Sequence, residues 1–319
     1  MYVVVYELSR PPFQVVFFLP EERKKQMTKR VVVFAGYNRK SEIEDYVLYY
    51  LKGLREIADV LIYAADNEAA PQYHRQLEGL ADFAVFERHG EYDFGSWKRG
   101  LRLARQKSLL SDADELVLCN DSCYGPVFPF AQMFAAMGKR DVDFWGVTKN
   151  CEEDWEHVQS YFLVFARQVF ASALFERFFE SVAGEKNFWD VVSKYEVGLS
   201  RLLIEKGNFR FDVYCPIDSG RHEPSKFGDL LLTARSPLVK RKIFTRGGYA
   251  KCSLAGLLRS VPNEEVRRYM KDDYFAYFFK RMIFSLKRFA NQDKTTKSGH
   301  RIIKICKIPV VVISKEYDI

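Results

Sequence analysis

A chain of 319 residues, 48% apolar, is long enough to bury a real core in one large domain or two modest ones. Its net charge of +7 is unevenly spread: Lys226 to Ile319 holds 21 basic and 8 acidic residues, against 28 and 34 in the preceding 225, so a basic tail that attracts polyanions follows a mildly acidic body. No stretch reaches the roughly 20 apolar residues of a membrane-spanning helix, and six cysteines without CxxC or zinc-site spacing exclude a zinc module and read as reduced thiols of a cytoplasmic protein.

The first 27 residues carry two short apolar runs, Val3–Tyr6 and Val15–Leu19, split by Pro11-Pro12 and followed by the charges of Glu21–Lys25. That order does not suit a signal peptide. Met27 stands just before a clean strand, so residues 1–27 are read as an N-terminal extension.

Val31–Ala35 is a β-branched run ended by Gly36, a buried strand. An amphipathic helix from Ser41 to about Ile57 follows, then a strand over Asp59–Ala64, a short helix over Pro71–Leu80 and a strand over Asp82–Phe86. Gly95–Leu110 reads as a helix and Glu115–Cys119 as a fourth strand. This alternation predicts βαβ units and a mostly parallel sheet, with functional residues at the carboxyl ends of the strands. Those ends are Gly36-Tyr37-Asn38, Asp66-Asn67 and Asn120-Asp121-Ser122. Neither GxGxxG nor GxxxxGK[ST] is present, which argues against NAD dehydrogenases and P-loop NTPases. Past Pro126, strands are expected over Asp143–Val147, Gln159–Phe165 and Arg210–Cys215, and helices over Gln168–Ser181 and Phe188–Lys206.

Three clusters carry chemistry. Asn120-Asp121-Ser122 is an ordinary strand-end turn, or a site where a carboxylate holds Mg²⁺ or Mn²⁺ against a diphosphate. Glu91-Tyr92-Asp93-Phe94-Gly95-Ser96-Trp97-Lys98-Arg99-Gly100 puts Asp93 where it caps a helix, or where it, Lys98 or Arg99 meets a nucleotide. Lys194-Tyr195-Glu196-Val197-Gly198 sets a carboxylate at a helix start. Glu196 there is either a solvated helical residue or a base that takes a proton from an acceptor hydroxyl.

Taken in order, these pieces resemble family 2 glycosyltransferases of the GT-A type, and more closely the rhamnan synthesis protein F family. The residues that carry the closer resemblance are Tyr92 to Lys98, Asn120 to Pro126, Asp143-Phe144-Trp145-Gly146-Val147-Thr148, His157 to Phe165 and Lys194 to Leu199. It runs from about Val31 to Lys240. The resemblance implies a GT-A-like α/β domain over residues 28–240, with a Rossmann-type, mostly parallel sheet flanked by helices. It implies inverting transfer of L-rhamnose from dTDP-L-rhamnose to a lipid-linked glycan in bacterial surface-polysaccharide synthesis. Glu196 becomes the base. Tyr37, Asn38, Asp66, Asp93, Lys98, Arg99, Asn120 and Asp121 fall to the donor, and His157, Gln159 and Lys240 to acceptor or diphosphate. The metal motif departs from Asp-x-Asp, leaving Asp121 as its one carboxylate. His222, in Ser219-Gly220-Arg221-His222, is a candidate to complete a Mg²⁺ or Mn²⁺ site. Two alternatives stand beside this reading: the same fold with another nucleotide-sugar donor, and a non-catalytic scaffold of a polysaccharide assembly complex.

Residues 241–319 form a basic, mainly helical C-terminal extension. Asn263 suits the N-cap of a helix running to Ala290, with Phe275, Phe278, Met282, Leu286 and Phe289 at 3–4 spacing among lysines and arginines. Such a helix either packs its aromatic face on the catalytic domain or lies on anionic lipid, which predicts a peripheral protein at the inner face of the plasma membrane. Ile302–Ser314 reads as a final strand or a second surface contact. The tail holds no nucleic-acid module, so nucleic acid is not an expected partner.

Overall fold

The computed structural model describes residues 14–17, 28–151, 156–216, 228–245, 254–290, 301–305 and 308–312. His222 lies outside the described residues.

The strands Gln14–Phe17, Phe83–Phe86, Val60–Ala65, Arg30–Gly36, Glu115–Asn120, Phe162–Ala166, Phe144–Gly146 and Phe211–Val213 lie side by side in that order in one sheet. Arg30–Gly36 pairs in parallel with Val60–Ala65 and Glu115–Asn120, and Val60–Ala65 with Phe83–Phe86. Phe162–Ala166 runs antiparallel to both its neighbours. Gln14–Phe17, within the expected N-terminal extension, adds an antiparallel edge to Phe83–Phe86.

The alternation of side chains along a strand explains why the central strand is apolar throughout. Val32 and Phe34 enter the core on one face of the sheet, while Val31, Val33 and Ala35 enter the core on the other. The first face is covered by the helix Asp45–Arg55 and the helix Phe130–Met137. The second is covered by the helices Tyr92–Gln106 and Ala173–Glu180. Gly100 lets the Tyr92–Gln106 helix approach closely, since a Cβ there would overlap Val33 Cγ1.

Several expected boundaries move, each for a local reason. The first helix begins at Asp45 rather than Ser41, because Ser41 takes φ +52 and Glu44 is still extended. The third begins at Tyr92 rather than Gly95, which places Asp93 inside the first turn instead of at the cap. The helix expected over 168–181 is broken into Arg167–Phe170 and Ala173–Glu180. Ser172 Oγ donates to the Val169 carbonyl and accepts from the Phe175 amide, so it closes one helix and caps the next. Helix 188–206 contains two wide π-helical stretches, Val192–Val197 and Leu202–Lys206. Asn263 does cap the last helix, Glu264–Ala290, accepting from the Val266 amide at 3.1 Å. Arg301–Ile305 and Ile308–Val312 form an antiparallel hairpin.

The core does not stop at residue 240. Ile243, Phe244, Leu257, Val261, Val266 and Met270 are buried in the same cluster as Val32 and Phe34. Arg241 reinforces that junction. Its guanidinium donates to Asp273 of the last helix (2.8 Å), to the Tyr46 hydroxyl (2.6 Å) and to Glu44 (3.2 Å). Tyr124 donates its hydroxyl proton to the same Asp273 carboxylate.

Candidate active site

The parallel strands deliver their polar ends to one edge of the sheet, and these ends are hydrogen-bonded to one another. Asp121 accepts the Tyr37 amide on Oδ2 at 2.9 Å. Asn67 clamps the Asn38 backbone, accepting its N–H at 3.0 Å and donating to its carbonyl at 2.6 Å. Asp66 is buried, and its carboxylate accepts the amides of His89 (2.8 Å) and Gly90 (3.1 Å), so it braces the turn before the Tyr92–Gln106 helix. Tyr37 itself is exposed, with the Arg88 guanidinium 5.9 Å from its ring centre.

Asp93, Asn120, Ser122 and Lys240 form a continuous chain. Asn120 Nδ2 donates to Asp93 at 2.7 Å, and its Oδ1 accepts from both the Ser122 hydroxyl (2.6 Å) and amide (3.1 Å). Lys240 Nζ donates to Ser122 Oγ at 2.9 Å and lies 4.1 Å from the centre of the Tyr161 ring. The short strand Val239–Lys240 pairs with Cys123–Tyr124, which is what brings Lys240 to this edge.

Glu196 enters from the π-helical stretch of helix 188–206. Wide turns of this kind recur at functional sites because they shift side chains off the regular helical register. Its Oε1 accepts from the Ser160 amide (2.8 Å) and hydroxyl (2.9 Å), and His157 Nε2 stands 3.7 Å away. Gln159 accepts from Thr148 Oγ1, which also contacts the Tyr161 hydroxyl at 2.7 Å.

Electrostatics tie these groups into one site. Burial pushes the Asp93 carboxyl up to about 6, with the Glu196 charge adding to the rise and Lys240, Asn120 and Lys242 opposing it. Burial and the Asp93 charge push Asp121 up to about 7. Asp93, Asn120, Asp121, His157, Gln159, Glu196 and Lys240 therefore belong to a connected region. Lys98 and Arg99 do not join it. Lys98 Nζ donates to the Val182 carbonyl at 2.6 Å, and Arg99 pairs with Glu87 (2.6 Å) and Glu91 (2.7 Å). Ser122, Ser160, Tyr161 and Thr148 join this region too, each lying inside a quoted motif without being singled out there, while Lys242 lay outside the motifs.

Among the described residues, no group of three or more His, Cys, Asp and Glu side chains is placed to hold a metal ion. The pair Asp93 and Asp121 nonetheless suits a hard divalent cation. Both are oxygen donors, the Asp93 charge raises the energy of the ionised form of Asp121, and a bound cation would relieve that repulsion. A diphosphate and water would have to supply its remaining ligands.

The sheet order, with its antiparallel strand at Phe162–Ala166 and its polar carboxyl edge, defines a GT-A-like α/β fold of the glycosyltransferase type. The chain belongs to the rhamnan synthesis protein F family, whose sequence model matches residues 61–308. A search of curated proteins finds no match. Among solved structures, the chain is similar to a glycosyltransferase involved in the glycosylation of the major capsid of PBCV-1 (11% identity, 76% of this chain and 98% of that one, TM-score 0.39). It is also similar to a cytidylyltransferase from Leptospira borgpetersenii (12%, 61% and 77%, 0.35) and to S. aureus TarS 1–349 (10%, 91% and 100%, 0.31).

Proposed function

We propose that this chain is an inverting rhamnosyltransferase that moves L-rhamnose from dTDP-L-rhamnose to a lipid-linked glycan. The observation that carries the reading is Glu196. It is a carboxylate held from one side by Ser160 and His157, electrostatically coupled to Asp93, which is bonded in turn to the Asn120-Asp121-Ser122 turn. Inversion needs a base on one side of the anomeric carbon and a stabilised leaving group on the other. Glu196 makes its described contacts through Oε1, so Oε2 is the oxygen that takes the acceptor hydroxyl's proton. That hydroxyl oxygen forms the new glycosidic bond as the bond to the nucleotide diphosphate breaks. Lys240 meets the departing charge, and Asp93 and Asp121 would hold Mg²⁺ or Mn²⁺. The cation, when bound, neutralises the diphosphate. The loop braced by Asp121 and Asn67 supports assigning Tyr37 and Asn38 to the nucleoside. Membership in a family named for rhamnan synthesis motivates the choice of a rhamnose donor, and a lipid-linked acceptor would give the basic tail a membrane surface to meet.

Calorimetric titration of dTDP-L-rhamnose, with and without Mg²⁺ or Mn²⁺ and against UDP- and GDP-sugars, tests the donor. Glu196→Gln is expected to keep donor affinity within about twofold and to lower kcat by a factor of 10² to 10⁴, roughly what general-base catalysis contributes. Normal turnover in that variant removes Glu196 from the mechanism. Absence of any nucleotide-sugar binding by folded protein would leave a scaffold as the better account.

A further inference from the structure

Three aromatic rings stand in solvent beside the site. Tyr92, Phe188 and Trp189 are 44, 46 and 67% exposed. The Tyr92 ring centre lies 6.2 Å from that of Phe188, and Phe188 lies 5.7 Å from Trp189. Lys242 Nζ sits 5.5 Å from the centre of the Phe188 ring. Tyr92 opens one helix and the other two rings open another, 96 residues later in sequence. The fold, not a local run of apolar residues, gathers the patch.

Two details mark it as more than chance exposure. Tyr92 takes φ +57, a left-handed conformation that is unfavourable for a bulky residue and that the packing around it must maintain. The patch also continues into the reaction site. Asp93 follows Tyr92 directly, Lys242 acts on the Asp93 carboxylate, and the helix that starts with Phe188 and Trp189 leads into Glu196.

The chemistry of the occupant follows from the rings and the charges. Flat aromatic faces match a pyranose ring, whose C–H face is apolar and whose rim carries hydroxyls. A 6-deoxy sugar adds a methyl group to that apolar surface. The flanking charges are mixed, Glu185 and Asp190 against Lys186, Lys194 and Lys242, so the patch offers little net attraction to an anionic bilayer.

We infer that Tyr92, Phe188 and Trp189 form the acceptor subsite, a stacking platform for the neutral sugar rings of the glycan next to the hydroxyl that Glu196 deprotonates. The inference rests on the transferase reading and adds where the acceptor binds. Lys242, at the platform's edge, donates to a ring hydroxyl. Exposed rings of this kind act as binding hot spots only when a partner covers them, so their removal costs little in the free protein.

The test uses the full chain and an oligorhamnoside of about four to six units. Titration is monitored by calorimetry, which reads the subsite without turnover and does not depend on Trp189 as reporter. Wild type should show a saturable change that Trp189→Ala abolishes. Phe188→Ala should weaken binding about tenfold. In transfer assays both variants should raise acceptor KM about tenfold while calorimetric affinity for dTDP-L-rhamnose stays unchanged. Donor binding therefore reports on the transferase reading, and oligorhamnoside binding reports on the platform. Unchanged oligorhamnoside affinity in both variants overturns the inference. So does a loss confined to phosphatidylglycerol vesicles, which would make the patch a membrane contact.

Discussion

Asp93 holds an electrostatic tension in the candidate site that a single substitution can release. Its folded carboxyl titrates at about 6 because burial disfavours the charge, against an ordinary value of 3.8. A raised carboxyl pKa means that the native state binds the proton more tightly than the unfolded chain does. The resulting stability is fully present below about pH 4 and is lost as pH rises through 6. Asp93→Asn should flatten that decline and make the protein roughly 2 kcal/mol more stable at pH 7 in the absence of ligand. Urea unfolding at pH 4.5 and 7 measures it, and an unchanged pH slope in the variant would show that Asp93 is not the group responsible. Asp93, Asp121 and Glu196 stood out in the sequence as candidates in polar clusters, and it was the family resemblance, not the cluster, that singled out Glu196. Ser122 and Ser160 lay inside quoted motifs but drew no role of their own, because a serine's hydroxyl takes its partners from the fold, here Lys240 and Glu196. Lys98 and Arg99 sit five and six residues along the same helix as Asp93. The helical turn carries Lys98 to the Val182 carbonyl and Arg99 to Glu87 and Glu91, where linear proximity had suggested a shared nucleotide contact.

At the scale of the element, the Tyr92–Gln106 helix sets the position of Asp93, and its seat is the contact of Gly100 with Val33. A methyl group there has no room. Gly100→Ala gains helix propensity of about 1 kcal/mol, but overpacking against a β-branched core residue costs about 1–3 kcal/mol. The net expectation is a lower urea midpoint with an unchanged m-value. A stabilised variant would mean that helix and strand can separate without cost. Strands of continuous β-branched residues were readable within a residue or two, since a strand buried on both faces leaves no other interpretation for so short a run. Helix ends were less so. The Ser172 break serves two helices at once through a single hydroxyl, and periodicity sees only the continuous apolar face. The antiparallel course of Phe162–Ala166 depends on which edge was left open by the parallel strands, a property of the assembled sheet.

The whole molecule is organised about the junction between the sheet and the last helix. Val266 and Met270 bury its start in the core, Asp273 takes the Arg241 guanidinium and the Tyr124 hydroxyl, and beyond them the helix emerges. Its emergent part exposes Phe275, Phe279, Ile283 and Phe284. Of the expected stripe, Phe275 is exposed and Phe278 and Met282 are partly covered, while Leu286 and Phe289 lie outside the described side chains. Its first turns pack on the domain, as one of the two readings expected, and its later turns leave apolar side chains outside among Lys271, Lys280 and Arg281. Among the described residues, no helix is long and apolar enough to cross a membrane. An apolar row beside basic residues matches an anionic bilayer surface, with headgroups for the charges and acyl chains for the rings. Burying two phenylalanines contributes on the order of 3–6 kcal/mol to such contact. The double substitution Phe279→Glu and Phe284→Glu should therefore lower affinity for phosphatidylglycerol vesicles by at least about tenfold, leaving dTDP-L-rhamnose binding intact. Equal retention of wild type and variant on those vesicles in a flotation assay would sink the membrane assignment. Because the same helix is fixed through Asp273 and Arg241 to Tyr46, whose hydroxyl donates to the Asp121 carbonyl at 2.9 Å, a bilayer that grips its free end would hold the sheet's reactive edge at a set height above the lipid.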